Sequence, residues 1–184
     1  MIRLTEKTHQ ELKKIIKPGD YVIDATAGNG HDTLFLVEQT GPSGHVYAFD
    51  IQKESIESSS QKIQAKEYHD RVSFFHSCHS KISEYLPTHI GGKIKAATFN
   101  LGYLPGGKKQ LITTPRSTIL AIEQTHDFLS INGKITIIFY RGHEGGKTEY
   151  QKVKNYISEK KWEFELFTSN EKVDSPILLI ITKI

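Results

Sequence analysis

Asp24-Ala-Thr-Ala-Gly-Asn-Gly-His-Asp-Thr33 decides the fold. The residues before it, Tyr21-Val-Ile-Asp24, form a short β-branched run, and those after it open a helix. A glycine-rich loop between a buried strand and a helix is the setting in which a nucleotide can press on bare backbone. Gly28 and Gly30 carry no Cβ and tolerate positive φ. Asp50 ends the next strand, twenty positions beyond Gly30. A carboxylate there can accept hydrogen bonds from both hydroxyls of a ribose.

The loop discriminates among nucleotides. A dinucleotide site calls for a third glycine and a helix N-terminus free to receive pyrophosphate. This chain has Thr33 at that place and Asp32 in the first helical turn, where a carboxylate satisfies the helix dipole and repels phosphate. S-adenosylmethionine carries no phosphate. Its ammonium suits Asp24, its carboxylate suits the amides around Asn29 and Gly30, and its sulfonium suits acidic surroundings. Gln52 either faces the ribose or adenine or is an ordinary helix-start residue. Cys78 and His79, past the third strand, either read the adenine edge or are a buried thiol and a capping imidazole. His76, Cys78 and His79 are crowded and lack a distant ligand pair, which does not match structural zinc spacing, so no metal is expected.

Outward from this loop, short apolar runs recur at 21–24, 45–49, 72–75, 95–99, 134–140, 162–167 and 177–181. Several are apolar at nearly every position, as parallel strands covered on both faces are. Helical spacing with polar outer faces fills 8–16, 53–66, 113–129 and 148–158, with Pro18-Gly19 and Asn132-Gly133 as breaks. Strands alternating with helices predict βαβ units. The last two runs are too close in sequence for a crossover helix, so they predict an antiparallel hairpin. The expected fold is α/β and Rossmann-like, of the class I methyltransferase type. Its sheet has seven strands, mostly parallel, with a C-terminal antiparallel hairpin and helices on both faces.

The 184 residues, with 24 Lys+Arg, 21 Asp+Glu and a net charge of +3, suit one domain over 1–184. A single cysteine, Cys78, excludes a disulfide scaffold. No apolar run approaches the roughly 18 residues of a membrane span. The N-terminus alternates polar and apolar residues, unlike a targeting peptide, so a cytoplasmic location is expected.

Two further loops belong at the same sheet end. Asn100-Leu-Gly-Tyr-Leu-Pro-Gly-Gly-Lys-Lys109 follows the fourth strand, and Tyr140-Arg-Gly-His-Glu-Gly-Gly-Lys-Thr-Glu149 follows the fifth. Asn100 offers a carbonyl to an amine nucleophile, Tyr103 can stack on a base, and His143 can assist deprotonation. Glu144 and Glu149 either anchor a cationic amine or cap the helix. Lys108, Lys109, Arg116, Arg141 and Lys147 gather around these loops and suit a nucleic-acid backbone.

These segments, with Asp50-Ile-Gln52 and Gly142-His143-x-Gly145-Gly146, resemble the YtqB-like class I methyltransferases, a small bacterial family known as rRNA methylases. It includes transfer-RNA 5-aminomethyl-2-thiouridine methyltransferases. The resemblance spans essentially the whole chain. It implies S-adenosylmethionine as donor and the aminomethyl nitrogen of a wobble uridine, in a tRNA anticodon stem-loop, as acceptor. It also implies Asn29, Asp32, Asp50, Gln52, Cys78 and His79 as cofactor contacts. Lys108 replaces an acid that the family usually carries there. A ribosomal RNA or small-molecule acceptor, and a non-catalytic RNA-binding or cofactor-sensing module, stay open from the residues alone, as does a homodimer.

Overall fold

The computed structural model describes residues 3–102, 113–142, 144–168 and 174–184. Its strands are β1 (Tyr21–Asp24), β2 (His45–Asp50), β3 (Val72–His76), β4 (Ile94–Leu101), β5 (Leu129–Phe139), β6 (Glu163–Thr168) and β7 (Ile177–Thr182). They form one sheet in the order β3-β2-β1-β4-β5-β7-β6. β1 to β5 run parallel, and β7 enters antiparallel between β5 and β6. The expected seven-stranded sheet and terminal hairpin are both present.

The helices are α1 (Leu4–Lys13), α2 (His31–Thr40), α3 (Lys53–Gln64), α4 (Ile82–Tyr85), α5 (Pro115–Phe128) and α6 (Gly146–Glu159). Because side chains alternate along a strand, each apolar run feeds two cores. Val22, Val46 and Ala48 pack with Leu12 of α1, Leu36 of α2 and Ile63 of α3. Ile23, Phe49, Phe99 and Ile137 pack on the opposite face with Ile122 of α5 and Val153 of α6. β6 lies at the edge and keeps Glu163 and Glu165 exposed, which discourages pairing with another chain.

Three of the boundary differences from the sequence reading bear on packing or on the site. α1 begins at Leu4, four residues before the expected start, because Leu4 packs on Ile138, Leu178 and Ile180. β5 begins at Leu129 and absorbs the expected turn at Asn132-Gly133. There Asn132 takes φ +59°, and β7's end pairs with it: Asn132 N–H donates to the Lys183 carbonyl at 2.8 Å. Most relevant to function, β4 continues through Asn100 and Leu101, which pair with Ile138 and Phe139 of β5. Asn100 is therefore held on a strand and is not a loop residue.

The chain leaves β1 toward β2 and β3, then returns to β4 on the other side of β1. In open α/β sheets such a reversal opens a crevice beyond the carboxyl ends of the two strands, where ligands bind. Asp24 and Asn100 sit at those ends.

Candidate active site

The loop after β1 is built around two carboxylates. Asp24 is fully buried; its oxygens accept from the Thr33 hydroxyl at 2.6 Å and the Thr26 N–H at 3.2 Å. Asp24 and Thr33 thus brace the loop from below, so of the two expected ways for Asp24 to meet a ligand ammonium, directly or through water, the sealed carboxyl does not offer the direct one. Asp50 behaves differently. It is only partly buried, and its two oxygens accept from Gly28 N–H at 2.9 Å and Gln52 N–H at 2.8 Å. These bonds orient the carboxyl and leave further lone pairs for a ligand. Burial raises its pKa, an effect those amides oppose.

Gly30 takes the positive φ expected of it and is needed for a further reason as well. It caps α2 with φ +72°, and a Cβ there would stand 2.9 Å from the Ser59 Cα of α3. Helix packing, besides ligand access, excludes a side chain. The Ser59 hydroxyl lies within hydrogen-bond reach of the Ala27 and Gly28 carbonyls, at 3.3 and 3.2 Å, tying α3 to the loop. Gly28, at φ +51°, and the exposed Asn29 form the loop tip.

Gln52 is buried at the start of α3. Cys78 is half-buried, with its Sγ accepting from the Ser80 hydroxyl at 3.1 Å. The His79 ring is buried edge-on against Phe99, and its Nε2 has no hydrogen-bond partner among the described residues. Of the two readings open for this imidazole, the structure favours the core one: the ring is buried, while the backbone of residues 78–79 and the half-buried Cys78 remain for a ligand.

Asp24 and His79 make opposing contributions to stability. Burial, reinforced by the charge of Asp32, pushes the Asp24 carboxyl from its ordinary 3.8 up to about 7. Burial pushes the His79 imidazole from 6.5 down to about 4. A carboxyl that keeps its proton only when folded stabilises fully below 3.8, and that contribution is lost as pH rises toward 7. A histidine kept neutral by folding contributes above 6.5 and loses this as pH falls toward 4. Between those limits the two slopes, each about 1.4 kcal/mol per pH unit at most, oppose each other. Relative to wild type, Asp24→Asn should therefore gain stability as pH rises across this window, and His79→Gln should lose it. Denaturant titrations at stepped pH measure this; parallel profiles for all three proteins contradict it.

Across the crevice, Asn100 N–H donates to the Thr26 hydroxyl at 2.8 Å, joining β4 to the β1 loop. The Asn100 side-chain amide donates to Asp32 Oδ2, and the other Asp32 oxygen meets His9 Nε2 of α1 at 2.6 Å. Tyr140, just past β5, is half-exposed. Burial, and secondarily the Asp32 charge, raises its phenol pKa, so it borders the same space. His9, Thr26 and Tyr140 escaped the sequence reading. Tyr140 carried a signal, as a polar aromatic at a strand's carboxyl end; His9 carried none, because only the packing of α1 against α2 brings it here.

On the acceptor side, Arg141 Nε donates to the Ser175 carbonyl at 2.9 Å, and its guanidinium lies 5.4 Å from the Tyr150 ring centre. Arg141 and Lys147 border one cleft of about 350 Å³ with Asp174, which pairs with Lys147 at 2.6 Å. Arg116 is exposed in the first turn of α5. Buried Glu149 accepts from the hydroxyls of Thr118 at 2.6 Å and Thr113 at 2.8 Å. It fastens α6 to α5 and is not free to anchor an amine. Tyr103, Lys108, Lys109 and His143 lie outside the described residues.

The donor set fits a nucleoside without phosphate. The Asp50 carboxyl is aimed by two amides, the loop tip is bare backbone, and Asp32 stands where a phosphate would otherwise sit. Among the described residues no cluster of three or more metal-ligating side chains occurs, and no helix is long and apolar enough to cross a membrane.

A family model described as "Putative rRNA methylase" matches residues 46–183. The chloroplastic tRNA (mnm(5)s(2)U34)-methyltransferase of Arabidopsis thaliana is 40% identical over 165 residues, 85% of this chain; the match spans 59% of that protein's length. A structure from Clostridium thermocellum described as a "putative rRNA-methylase" superposes with a TM-score of 0.91 at 33% identity, covering 100% of this chain and 99% of that one. A Streptococcus mutans structure described as a "putative methyltransferase", in complex with SAH, superposes with a TM-score of 0.84 at 30% identity, covering 100% and 99%.

Proposed function

The chain belongs to the rRNA methylase family, and from that premise we propose that it is an S-adenosylmethionine-dependent methyltransferase whose acceptor is the aminomethyl nitrogen of 5-aminomethyl-2-thiouridine at a tRNA wobble position. The observation that carries the reading is the Asp32–Asn100 pair across the switch-point crevice. It leaves a neutral amide oxygen, a hydrogen-bond acceptor suited to an amine N–H, beside the loop that Asp50 organises. The relative from Arabidopsis, named for a tRNA uridine methyltransferase, supports the choice of acceptor.

When bound, S-adenosylmethionine supplies an electrophilic methyl carbon: the amine lone pair forms the C–N bond, the C–S bond breaks with its electrons left on sulfur, and the methylated ammonium releases one proton to water. The chain's own part is chiefly positioning. Asp50 holds the ribose diol, with Gly28 and Gln52 amides keeping its carboxyl in place. Asn29 and the Gly30 backbone hold the amino-acid end, Asp32 is taken up by His9 and Asn100, and Gln52 with residues 78–79 borders the base. Asn100 Oδ1 accepts one N–H of the neutral amine, which turns the nitrogen lone pair toward the methyl. Tyr140 walls the acceptor, Tyr103 is the candidate for stacking, and His143 is the candidate for passing that proton on to water. Arg116, Arg141 and Lys147, with Lys108 and Lys109, receive the anticodon stem-loop backbone.

Nucleoside mass spectrometry of tRNA from cells with and without the gene tests this. Loss of the gene should make 5-aminomethyl-2-thiouridine accumulate at the expense of its methylated form, and purified protein with donor should reverse the change in vitro. Unchanged tRNA nucleosides, or methyl incorporation into ribosomal RNA instead, would overturn the acceptor assignment.

A further inference from the structure

Building on that reading, we propose that His9 is a positioning residue of the acceptor site, acting through Asp32 to set which way the Asn100 amide faces. α1 carries none of the nucleotide-binding signatures, yet it is firmly docked. Its Leu12 is fully buried, and its Glu11 pairs with Lys7 at 2.7 Å, Lys14 at 2.8 Å and, from β5, Lys134 at 3.7 Å. From this anchored helix the His9 ring lies flat on Phe35 of α2, with centroids 3.8 Å apart and planes 5° apart. The stack fixes the ring plane, and Nε2 meets Asp32 Oδ1 at 2.6 Å. The second Asp32 oxygen receives the Asn100 Nδ2.

The chemistry of the three groups gives this chain a direction. A carboxylate only accepts hydrogen bonds, so the amide nitrogen must face Asp32 and the amide oxygen must face away from it. An asparagine without such a partner can turn over and present its NH2 to an incoming amine, donor against donor. Asp32 can enforce the orientation only while its own rotation is blocked. One oxygen anchored on an immobile imidazole blocks it. α1, α2 and β4 thus meet in one hydrogen-bonded line, His9–Asp32–Asn100, that ends at the reacting nitrogen. A plain structural ion pair joining α1 to α2 would use His9 and Asp32 equally well but would leave Asn100 indifferent to the loss of His9.

His9→Phe separates the two, because it keeps a ring on Phe35 and removes the donor; His9→Gln restores a donor without the ring. Turnover on tRNA bearing the aminomethyl group should fall roughly tenfold or more in His9→Phe, with a clearly smaller change in KM for S-adenosylmethionine, and should recover in His9→Gln. The second readout needs no substrate. The Asn100 side-chain amide signals in a 1H–15N spectrum, identified by their disappearance in Asn100→Asp, should move in His9→Phe and return in His9→Gln. If His9→Phe fails to fold, Asp32→Asn should move the same signals. Amide signals that stay in place in a folded variant, or turnover equal to wild type in His9→Phe, overturn the role of His9. A wild-type protein inactive on this tRNA overturns the acceptor assignment instead, and the spectrum still decides on His9.

Discussion

Asp50→Ala is expected to weaken S-adenosylmethionine binding by roughly two to four orders of magnitude, the largest loss of affinity from any single truncation in the crevice. A hydrogen bond to a charged group contributes about 1.5–3 kcal/mol, and a ribose diol makes two such bonds to one carboxylate, which converts to that range in dissociation constant. The geometry explains why no neighbour can substitute. Asp24 is sealed beneath the loop by Thr33 and Thr26, and Asp32 is engaged by His9 and Asn100. Of the three, the Asp50 carboxyl is partly exposed and held by backbone amides alone, which leaves it lone pairs for a ligand. The substitution also frees the Gly28 and Gln52 amides, but the packing of Gly30 on Ser59 persists, so the melting temperature should fall by a few degrees only. Asp50→Asn keeps one acceptor and should land between the two, near a tenfold loss. Calorimetric titration measures all three proteins. An alanine variant that binds the donor within about threefold of wild type removes Asp50 from the ribose site.

The fold was legible because its signals are local. Runs such as Ile135–Phe139 and Leu178–Ile181 are apolar at every position or nearly so, and a short gap between the last two strands can only close as a hairpin. The Asp24–Thr33 loop and Asp50 were likewise readable, since a glycine pair after a strand and an acid at the next strand's end are close in sequence and fixed in register. What could not be read depends on distance. His9 is 23 residues from Asp32, and Asp32 is 68 from Asn100, and nothing in either interval specifies their meeting. Gly30 was correctly marked as special, but the helix that forbids its side chain lies 29 residues further on, at Ser59. Glu149, in a glycine-rich loop, could be read either as an anchor for an amine or as a helix cap. Its actual partners, Thr113 and Thr118, belong to a different helix-start, so its role in joining α5 to α6 is a tertiary fact.

Asn100→Ala should produce the complementary defect: turnover lowered roughly a hundredfold to a thousandfold, with donor affinity nearly intact. Removing one oriented hydrogen-bonding group that acts on the reacting atoms typically has that effect on kcat. The fold has little reason to change. Asn100 keeps its place in β4 opposite Ile138, and its backbone N–H keeps the Thr26 hydroxyl, because neither involves the side chain. Asp32 loses one donor and retains His9. What disappears is the single acceptor that turns the amine lone pair toward the methyl, and the ribose-holding side of the crevice is untouched. Asn100→Asp supplies an acceptor of nearly the same shape but sets a second carboxylate against Asp32. Like charges at that separation disfavour joint ionisation, so this variant should also be slow at neutral pH although an oxygen is present. Serine, too short to reach and uncharged, should resemble alanine. Single-turnover assays on aminomethyl-bearing tRNA, alongside calorimetry with the donor, distinguish these outcomes. Near-normal turnover in the alanine variant would mean that the amine is oriented by the base and its RNA context alone, and that the Asp32–Asn100 pair joins α2 to β4 without touching the chemistry.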